Sequence, residues 1–135
     1  MLPIKNNKKK RIMKINFQLC FVFASLLLII GCSSSQMSMY KPSDNSPGWR
    51  IDVEKKAGIT DEFICKINDT AVVSSSFPLI GDSFEKQGMF RGKKVLMSGY
   101  RTSSTITEGN GTIKTEDKYQ IRVFIDDKLV DKFDF

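Results

Sequence analysis

The sequence predicts an all-β fold for residues 48–135, a small antiparallel sandwich or barrel of about seven or eight short strands. Apolar residues alternate with polar ones in period two, most regularly from Tyr119 to Ile125. Turn signals such as Asn68-Asp69 separate these runs, and no ten-residue segment shows the 3.6-residue period of an amphipathic helix. Residues 48–135 are therefore predicted to form a single small β domain.

Seven segments carry the alternation, and a turn or loop signal follows each of the first six. The expected strands are 49–54, 63–67, 71–77, 83–90, 94–100, 119–125 and 129–135. Their apolar residues are Trp49, Ile51 and Val53; Phe63, Cys65 and Ile67; Val72, Val73 and Phe77; Phe84 and Phe90; Val95 and Met97; Tyr119, Ile121, Val123 and Ile125; and Val130, Phe133 and Phe135. Residues 102–111 have no regular apolar face, so an exposed edge strand and a mobile loop are alternatives there.

The chain also contains an internal echo, in which two hairpins have the same pattern. A shift of 58 residues superposes five apolar pairs and places the turn Asn68-Asp69 on Asp126-Asp127. The pairs are Phe63 with Ile121, Cys65 with Val123, Ile67 with Ile125, Val72 with Val130 and Phe77 with Phe135. The echo is interpreted either as a duplication or as two ordinary hairpins that obey one alternation rule. Both interpretations predict two equivalent places in the sheet architecture, with the C-terminal hairpin part of the core.

The N-terminal segment has the features of a secretory signal. A cationic stretch without acids precedes an apolar run of 12 residues, Leu19 to Ile30. Such a run suits a signal peptide of roughly 7–15 apolar residues and is shorter than the ~20 that span a bilayer. The run ends in the sequence Ile29-Ile30-Gly31-Cys32. Residues 1–31 are therefore predicted to be a signal peptide that is removed.

The sequence Ile29-Ile30-Gly31-Cys32 resembles the lipobox of bacterial lipoproteins. The resemblance implies cleavage between Gly31 and Cys32, a diacylglyceryl group on the Cys32 thiol and acylation, for example with palmitate, of the new amino group. Several acyl chains hold a protein stably on a membrane. Ser33 stands where Asp retains Gram-negative members at the inner membrane, which in a Gram-negative organism implies the outer membrane, facing the periplasm or the surface. The alternative is an uncleaved N-terminal anchor with Cys32 as an incidental thiol.

The composition of the chain after residue 31 excludes several other classes of protein. The six basic residues of 1–31 equal the whole net charge of +6, so the remainder is formally neutral and no nucleic-acid partner is expected. Residues 33–47 are rich in Ser, Pro and Asn, so 32–47 is predicted to be a lipidated Cys followed by a flexible tether. Cys65 has no partner for an intramolecular disulfide. It is interpreted as a small buried hydrophobe, with a reactive thiol or an intermolecular bridge as alternatives.

Catalytic and metal-binding patterns are missing from the sequence. The chain contains no His, and Cys65 has no evident base beside it, so no activated nucleophile is predicted and the domain is expected not to be an enzyme. The C-terminal acids Asp126, Asp127, Asp131 and Asp134 are interpreted as a solvated face rather than a calcium site. No metal or cofactor is expected. The basic turn of Arg91, Lys93 and Lys94 is interpreted as a soluble hairpin tip, with contact to phosphate or lipid headgroups as the alternative.

Three functions fit these observations. The first is a non-enzymatic, lipid-anchored binding or structural module that offers strand edges and loops to an envelope protein or cell-wall partner. The second is an inhibitor of a periplasmic hydrolase such as lysozyme, and the third is an enzyme. Ser98-Gly99-Tyr100 resembles the Ser-Gly-containing loop of one lysozyme-inhibitor family, although the paired cysteines typical of that family are missing. These three residues are the candidate interaction loop.

Overall fold

A computed structural model describes residues 32–135 as eight β-strands without a helix, and residues 1–31 lie outside the described part. The predicted signal peptide, including Gly31, therefore also lies outside it. The strands are β1 (Ser33–Tyr40), β2 (Trp49–Lys56), β3 (Glu62–Ile67), β4 (Thr70–Ser76), β5 (Ser83–Phe90), β6 (Lys93–Thr107), β7 (Ile113–Ile125) and β8 (Lys128–Asp134). Residues 32–135 contain no helix that is long and apolar enough to span a bilayer.

The strands form two four-stranded antiparallel sheets that pack together. Each sheet is a meander, in the order β1-β2-β3-β4 in the first and β5-β6-β7-β8 in the second. Two-residue turns join β3 to β4, β5 to β6 and β7 to β8, and all six central residues have positive φ. Positive φ at both positions matches the right-handed strand twist, and Asn, Asp and Gly tolerate it best. The predicted all-β sandwich is confirmed, and seven of its strands lie where the alternation placed them.

The core lies between the inner faces of the two sheets, because alternate residues of each central strand point inward. Phe63 is fully buried in an aromatic cluster, with its ring centroid 5.3 Å from that of Tyr119 and 5.6 Å from that of Phe77. Cys65 is also fully buried, as the hydrophobe interpretation predicts. The other buried members of the core are Trp49, Ile51, Val53, Ile67, Val73, Val95, Met97, Ile121, Val123, Ile125 and Phe133. The alternation in the sequence therefore predicted the core face of almost every strand.

The predicted flexible tether is wrong for its first half. Ser33–Tyr40 forms β1, which pairs with β2 in a continuous antiparallel register from Ser33 opposite Lys56 to Tyr40 opposite Trp49. An edge strand is held mainly by main-chain hydrogen bonds to one neighbour, so a Ser-rich composition does not prevent it from forming. Only residues 41–48 form a connection without strand structure. Cys32 thus directly precedes a strand of the folded domain.

The edges of the two sheets are covered by each other. On one side, β4 and β5 approach so closely that a Cβ at Gly88 would overlap the carbonyl oxygen of Val72. On the other side, the side-chain amide of Gln36 in β1 donates a hydrogen bond to the carbonyl oxygen of Asp134 in β8. Strand edges carry unpaired main-chain groups that invite pairing with other chains. In the body of the sandwich those edges face the opposite sheet.

The two sheets are equivalent strand by strand. β1 matches β5, β2 matches the first part of β6, β3 matches the last part of β7, and β4 matches β8. The pairing registers agree as well, since Ser33 lies opposite Lys56 and Ser83 lies opposite Tyr100. Each sheet has one irregularity, between Cys65 and Lys66 in β3 and at the equivalent Val123 and Phe124 in β7. The two equivalent hairpins predicted from the sequence are confirmed, and the equivalence extends to all eight strands.

The hairpin turns of the two sheets also use the same hydrogen bonds. The Asn68 side-chain oxygen accepts the main-chain N–H of Arg50 at 2.9 Å. At the equivalent position, the Asp126 carboxylate accepts the main-chain N–H of Lys94 at 3.1 Å. In both sheets the turn of the third and fourth strands is thereby tied to the start of the second strand.

Candidate functional site

The largest departure from this equivalence is a hairpin arm, residues 102–118. β5 pairs with β6 only as far as Tyr100, and β8 pairs with β7 only from Gln120. Main-chain bonds also join Arg101 to Asp82 and Tyr119 to Phe135. Beyond these residues β6 and β7 pair solely with each other, from Thr102 opposite Lys118 to Thr107 opposite Ile113. At about 3.3 Å per residue, β6 advances about 23 Å from Tyr100 to its end. The arm is therefore a two-stranded ribbon that projects from the sandwich.

The first sheet shows that the sandwich closes without such an arm. There the equivalent connection between the second and third strands is residues 57–61, whereas in the second sheet it is residues 101–119. The strands that follow both connections have the same lengths, register and irregularity. The arm therefore adds nothing that the repeated architecture requires, which makes it the first candidate for a functional surface.

Both outer edges of the arm are free of main-chain partners within residues 32–135. An isolated two-stranded ribbon is marginally stable, and its edge N–H and C=O groups face solvent. The side chains along it are mostly short and polar, and one cross-strand bond joins the Ser103 hydroxyl to the Asp117 carboxylate at 2.5 Å. Two large apolar side chains near the tip, Ile106 and Ile113, are 47% and 70% exposed.

Two grooves flank the base of the arm. The first has a volume of about 540 Å³ and lies along the arm and the C-terminus, where Tyr100, Thr102, Lys118 and Phe135 line it. The second, of about 310 Å³, lies between the arm, residues 58–61 and residues 77–79. Asp117 and Tyr119 line both grooves, so both grooves adjoin the same stretch of β7.

The titratable groups of the second groove form one network. The Lys55 ammonium lies 3.2 Å from the Asp61 carboxylate and 4.4 Å from the centre of the Tyr119 ring. Burial raises the pKa of Tyr119 to about 12, with help from its hydrogen bond to Asp61. Burial also raises the pKa of Asp61, but hydrogen bonds from Tyr119 and Lys55 outweigh it and leave that pKa below its usual value. At neutral pH Tyr119 is thus neutral and Asp61 ionised, whereas general acid–base catalysis works best with a pKa near the operating pH.

Arg101 joins the arm to the connection between the two sheets. Its guanidinium donates a hydrogen bond to the carbonyl oxygen of Gly81 at 2.9 Å and lies 3.3 Å from the Asp82 carboxylate. The same group lies 5.7 Å from the centre of the Phe77 ring. These contacts fix the direction in which the base of the arm leaves the second sheet.

The candidate interaction loop Ser98-Gly99-Tyr100 is not a loop. All three residues lie inside β6, and Ser98 is buried. Gly99 faces the core beneath the ring of Phe84. Tyr100 alone is open to solvent, at 48% exposure, with the Arg122 guanidinium 5.0 Å from its ring centre. As a loop this assignment is wrong, because the strand predicted over residues 94–100 continues through all three residues, and their role in an interaction stays a prediction.

The other residues singled out from the sequence have structural partners. Lys93 and Lys94, in the basic turn, form ion pairs with Asp126 at 2.6 Å and Asp127 at 2.5 Å. The hydrogen bond from Lys93 lowers the pKa of Asp126. Within residues 32–135, no group of three or more acidic, Cys or His residues is arranged to hold a metal ion.

The hairpin arm was not predicted from the sequence, although the sequence contains a signal for it. Residues 102–107 are rich in Thr and Ser, which tolerate strands, and Gly109-Asn110-Gly111 is a turn signal that a second Thr-containing run follows. The structure places the strand end at Thr107 and turns the chain with Gly111 at positive φ. Of the two alternatives for residues 102–111, the strand is correct for the first six.

Cys32 is exposed and lies at the start of the described chain, where its carbonyl oxygen accepts the main-chain N–H of Ala57 at 3.4 Å. The structure thus places the predicted lipid-attachment residue at the edge of the first sheet and beside the 57–61 connection. Comparison of the chain with protein-family models, with curated proteins and with solved structures finds no match.

Proposed function

We propose that this protein is a bacterial envelope lipoprotein, anchored through lipid on Cys32, whose β domain is a non-enzymatic module that binds a partner through the arm. The anchor rests on the lipobox-like sequence, and the exposure of Cys32 is compatible with acylation. The observation that carries the binding function is the arm itself, a ribbon with two unpaired edges that the equivalent first sheet lacks.

The mode of binding that suits the arm is strand addition. A partner segment in extended conformation that pairs with β6 or β7 beyond the body satisfies main-chain N–H and C=O groups that otherwise face water. The four edge strands of the body are less accessible, because β4 packs closely against β5 and β1 contacts β8. The charged residues of the arm nearly balance in sign, with three acidic and two basic from Thr102 to Lys118. Main-chain pairing rather than net charge would therefore supply the affinity.

The partner class that follows is a protein of the same envelope with an exposed extended segment. Such a segment needs no particular side chains to pair, only a free backbone and residues that fit the alternating faces of the ribbon. The short Thr and Ser side chains of the arm leave room for larger side chains on the partner.

A pull-down with the tagged, detergent-solubilised lipoprotein tests this function. In the test variant, residues 103–117 are replaced by Asn-Gly, a two-residue turn that joins Thr102 directly to Lys118, its hydrogen-bonded cross-strand neighbour. We expect the unmodified protein to capture an envelope protein that the variant does not. The matched control is Met37→Ser, on the exposed outer face of β1, which should capture the same protein. Equal capture by the arm-less variant would contradict the proposal.

Inhibition of a periplasmic hydrolase is the second candidate, and the projecting shape of the arm favours it. A hairpin that extends about 23 Å from a rigid body has the form needed to enter a substrate cleft. The test is lysozyme activity on peptidoglycan in the presence of the unmodified protein and of the Asn-Gly variant. Inhibition by the first and not by the second would select this function over strand addition, and no inhibition by either would exclude lysozyme as the target.

A further inference from the structure

The connections at the two ends of the sandwich carry different kinds of side chain. One end carries Cys32, the 57–61 connection, the 77–82 connection and the base of the arm, because β1 and β3 begin there and β2 and β4 end there. We call it the Cys32 end. The opposite end carries residues 41–48 and the three two-residue turns, which contain only Asn, Asp, Arg and Gly.

Large apolar side chains stand out into solvent at the Cys32 end. Ile59 is 105% exposed, Leu79 is 83% exposed and Ile80 is 95% exposed. Ile59 and Leu79 line the same groove, so the two connections that carry them are neighbours. Isolated apolar residues are common on protein surfaces, but several that project from adjacent loops at one end indicate an interaction surface.

The position of Cys32 indicates that this surface faces the membrane. β1 begins at the next residue, so no flexible segment separates the proposed lipid from the folded domain. The main-chain bond from Ala57 to Cys32 further ties the start of the chain to the connection that holds Ile59. Acyl chains on Cys32 would therefore bring this end, and not the charged opposite end, to the bilayer surface.

We propose that the Cys32 end is a membrane-docking surface, which seats Ile59, Leu79 and Ile80 in the interfacial layer of the leaflet that holds the lipid on Cys32. This inference rests on the lipid anchor of the proposed function. Apolar side chains on interfacial loops add to the binding that the acyl chains provide. They also fix the orientation of the domain, which acyl chains alone leave free to rotate.

Docking in this orientation constrains the arm. The interfacial layer is roughly 5–8 Å thick on each side of a hydrocarbon core of about 30 Å, whereas the arm extends about 23 Å beyond the body. The free edges of the arm cannot enter hydrocarbon, where unpaired main-chain groups are costly. Because the arm leaves the body at this same end, docking requires the strands to tilt, so that the arm runs along the headgroup layer and meets its partner at the membrane surface.

Depth-dependent fluorescence quenching on the full lipoprotein tests the docking surface. A single cysteine is introduced as Ile59→Cys or Ile80→Cys and labelled with an environment-sensitive fluorophore. The matched control is Leu129→Cys, an exposed aliphatic position next to a turn of the opposite end. Native Cys65 does not compete for the label because it is fully buried. The labelled proteins are reconstituted in phosphatidylethanolamine–phosphatidylglycerol vesicles that contain lipids with a nitroxide near the headgroup.

We expect quenching at positions 59 and 80 to be several-fold stronger than at position 129. Equal quenching at the three positions, in protein that floats with the vesicles and carries its acyl mass, would overturn the docking surface and leave the anchor intact. Protein that neither floats nor carries acyl mass would instead overturn the proposed anchor, and the docking surface with it. If the fluorophores at positions 59 and 80 become shielded from water only when envelope extract is added, the surface binds a protein partner. That result would overturn membrane docking.

Discussion

The ring of Phe84 lies directly over Gly99, so that a Cβ on Gly99 would come within 2.7 Å of Cζ of the ring and closer still to Cε1. Phe84 packs in turn against Phe77, with ring centroids 4.9 Å apart. Glycine at position 99 is therefore a packing requirement of the sandwich, in a strand where glycine is otherwise unfavourable.

We expect Gly99→Ala to destabilise the domain by about 1–3 kcal/mol, because the added methyl group forces the Phe84 ring out of its place in the core. Urea denaturation followed by tryptophan fluorescence measures the change, since Trp49 is buried. The matched control is Gly109→Ala at the tip of the arm, where nothing lies within 4 Å of the new Cβ. A Gly99→Ala protein as stable as this control would show that the ring moves aside freely.

Cys65 and Val123 occupy equivalent, fully buried positions in the two sheets. We expect Cys65→Val to fold with near-unchanged stability, because the second sheet already accommodates valine there. Cys65→Ser should cost about 1–3 kcal/mol, since its hydroxyl is buried without a partner. Thermal melting of the two variants separates these effects. If serine were tolerated as well as valine, the position would be solvated rather than part of the core.

Alkaline pH should weaken the fold through two groups. Burial raises the pKa of Cys65 from 9.0 to about 12 and that of Tyr119 from 10.0 to about 12. A raised folded-state pKa stabilises the fold fully below the unfolded-state pKa, and this contribution is lost as the pH rises through the folded value. Stability should therefore decline between about pH 9 and pH 12.

The variant Cys65→Val should shift the start of this decline from about pH 9 to about pH 10, because only Tyr119 then remains of the two groups. Urea unfolding at half-unit pH steps measures the shift. The same profile in both proteins would contradict the burial of a neutral thiol.

Replacement of residues 103–117 by Asn-Gly should leave the sandwich folded, with stability unchanged or raised by up to about 2 kcal/mol. A shorter loop costs less entropy to close, and the change from 15 residues to two is about three halvings of loop length, each worth about 0.6 kcal/mol. Circular dichroism and thermal melting check this outcome independently of partner binding. Unfolding of the variant would mean that the arm is part of the core architecture, contrary to its absence from the first sheet.

The variant Cys32→Ala should lose membrane association and acyl mass if this residue carries the lipid. Fractionation of cells and intact-mass analysis measure the two properties together. The control is Cys65→Val, which should stay in the membrane fraction with its acyl mass. A Cys32→Ala protein that remains in the membrane with its precursor mass would support the uncleaved anchor instead.

Much of the fold was predictable because successive side chains of a strand point to opposite faces. When one face is buried, apolar residues therefore recur at every second position of the sequence. The alternation of Ile121, Val123 and Ile125 predicted a strand and its inward face, and Asn68-Asp69 predicted the turn that the structure contains. Nothing comparable predicted β1, since an edge strand with a polar outer face depends on main-chain hydrogen bonds that composition does not report. The loop assignment of Ser98-Gly99-Tyr100 failed because it rested on a resemblance of three residues, whereas the alternation around Val95 and Met97 predicted the strand that contains them.

The sequence by itself determined the strand periodicity, the hairpin turns and the equivalence of Cys65 with Val123, because these depend on neighbours along the chain. Only the tertiary structure decided that residues 102–118 project as an arm. It also decided that Ile59, Leu79 and Ile80 share one end of the domain with Cys32. Residues from separate connections come together through sheet register and the packing of one sheet on the other, and neither is encoded in any single stretch of sequence.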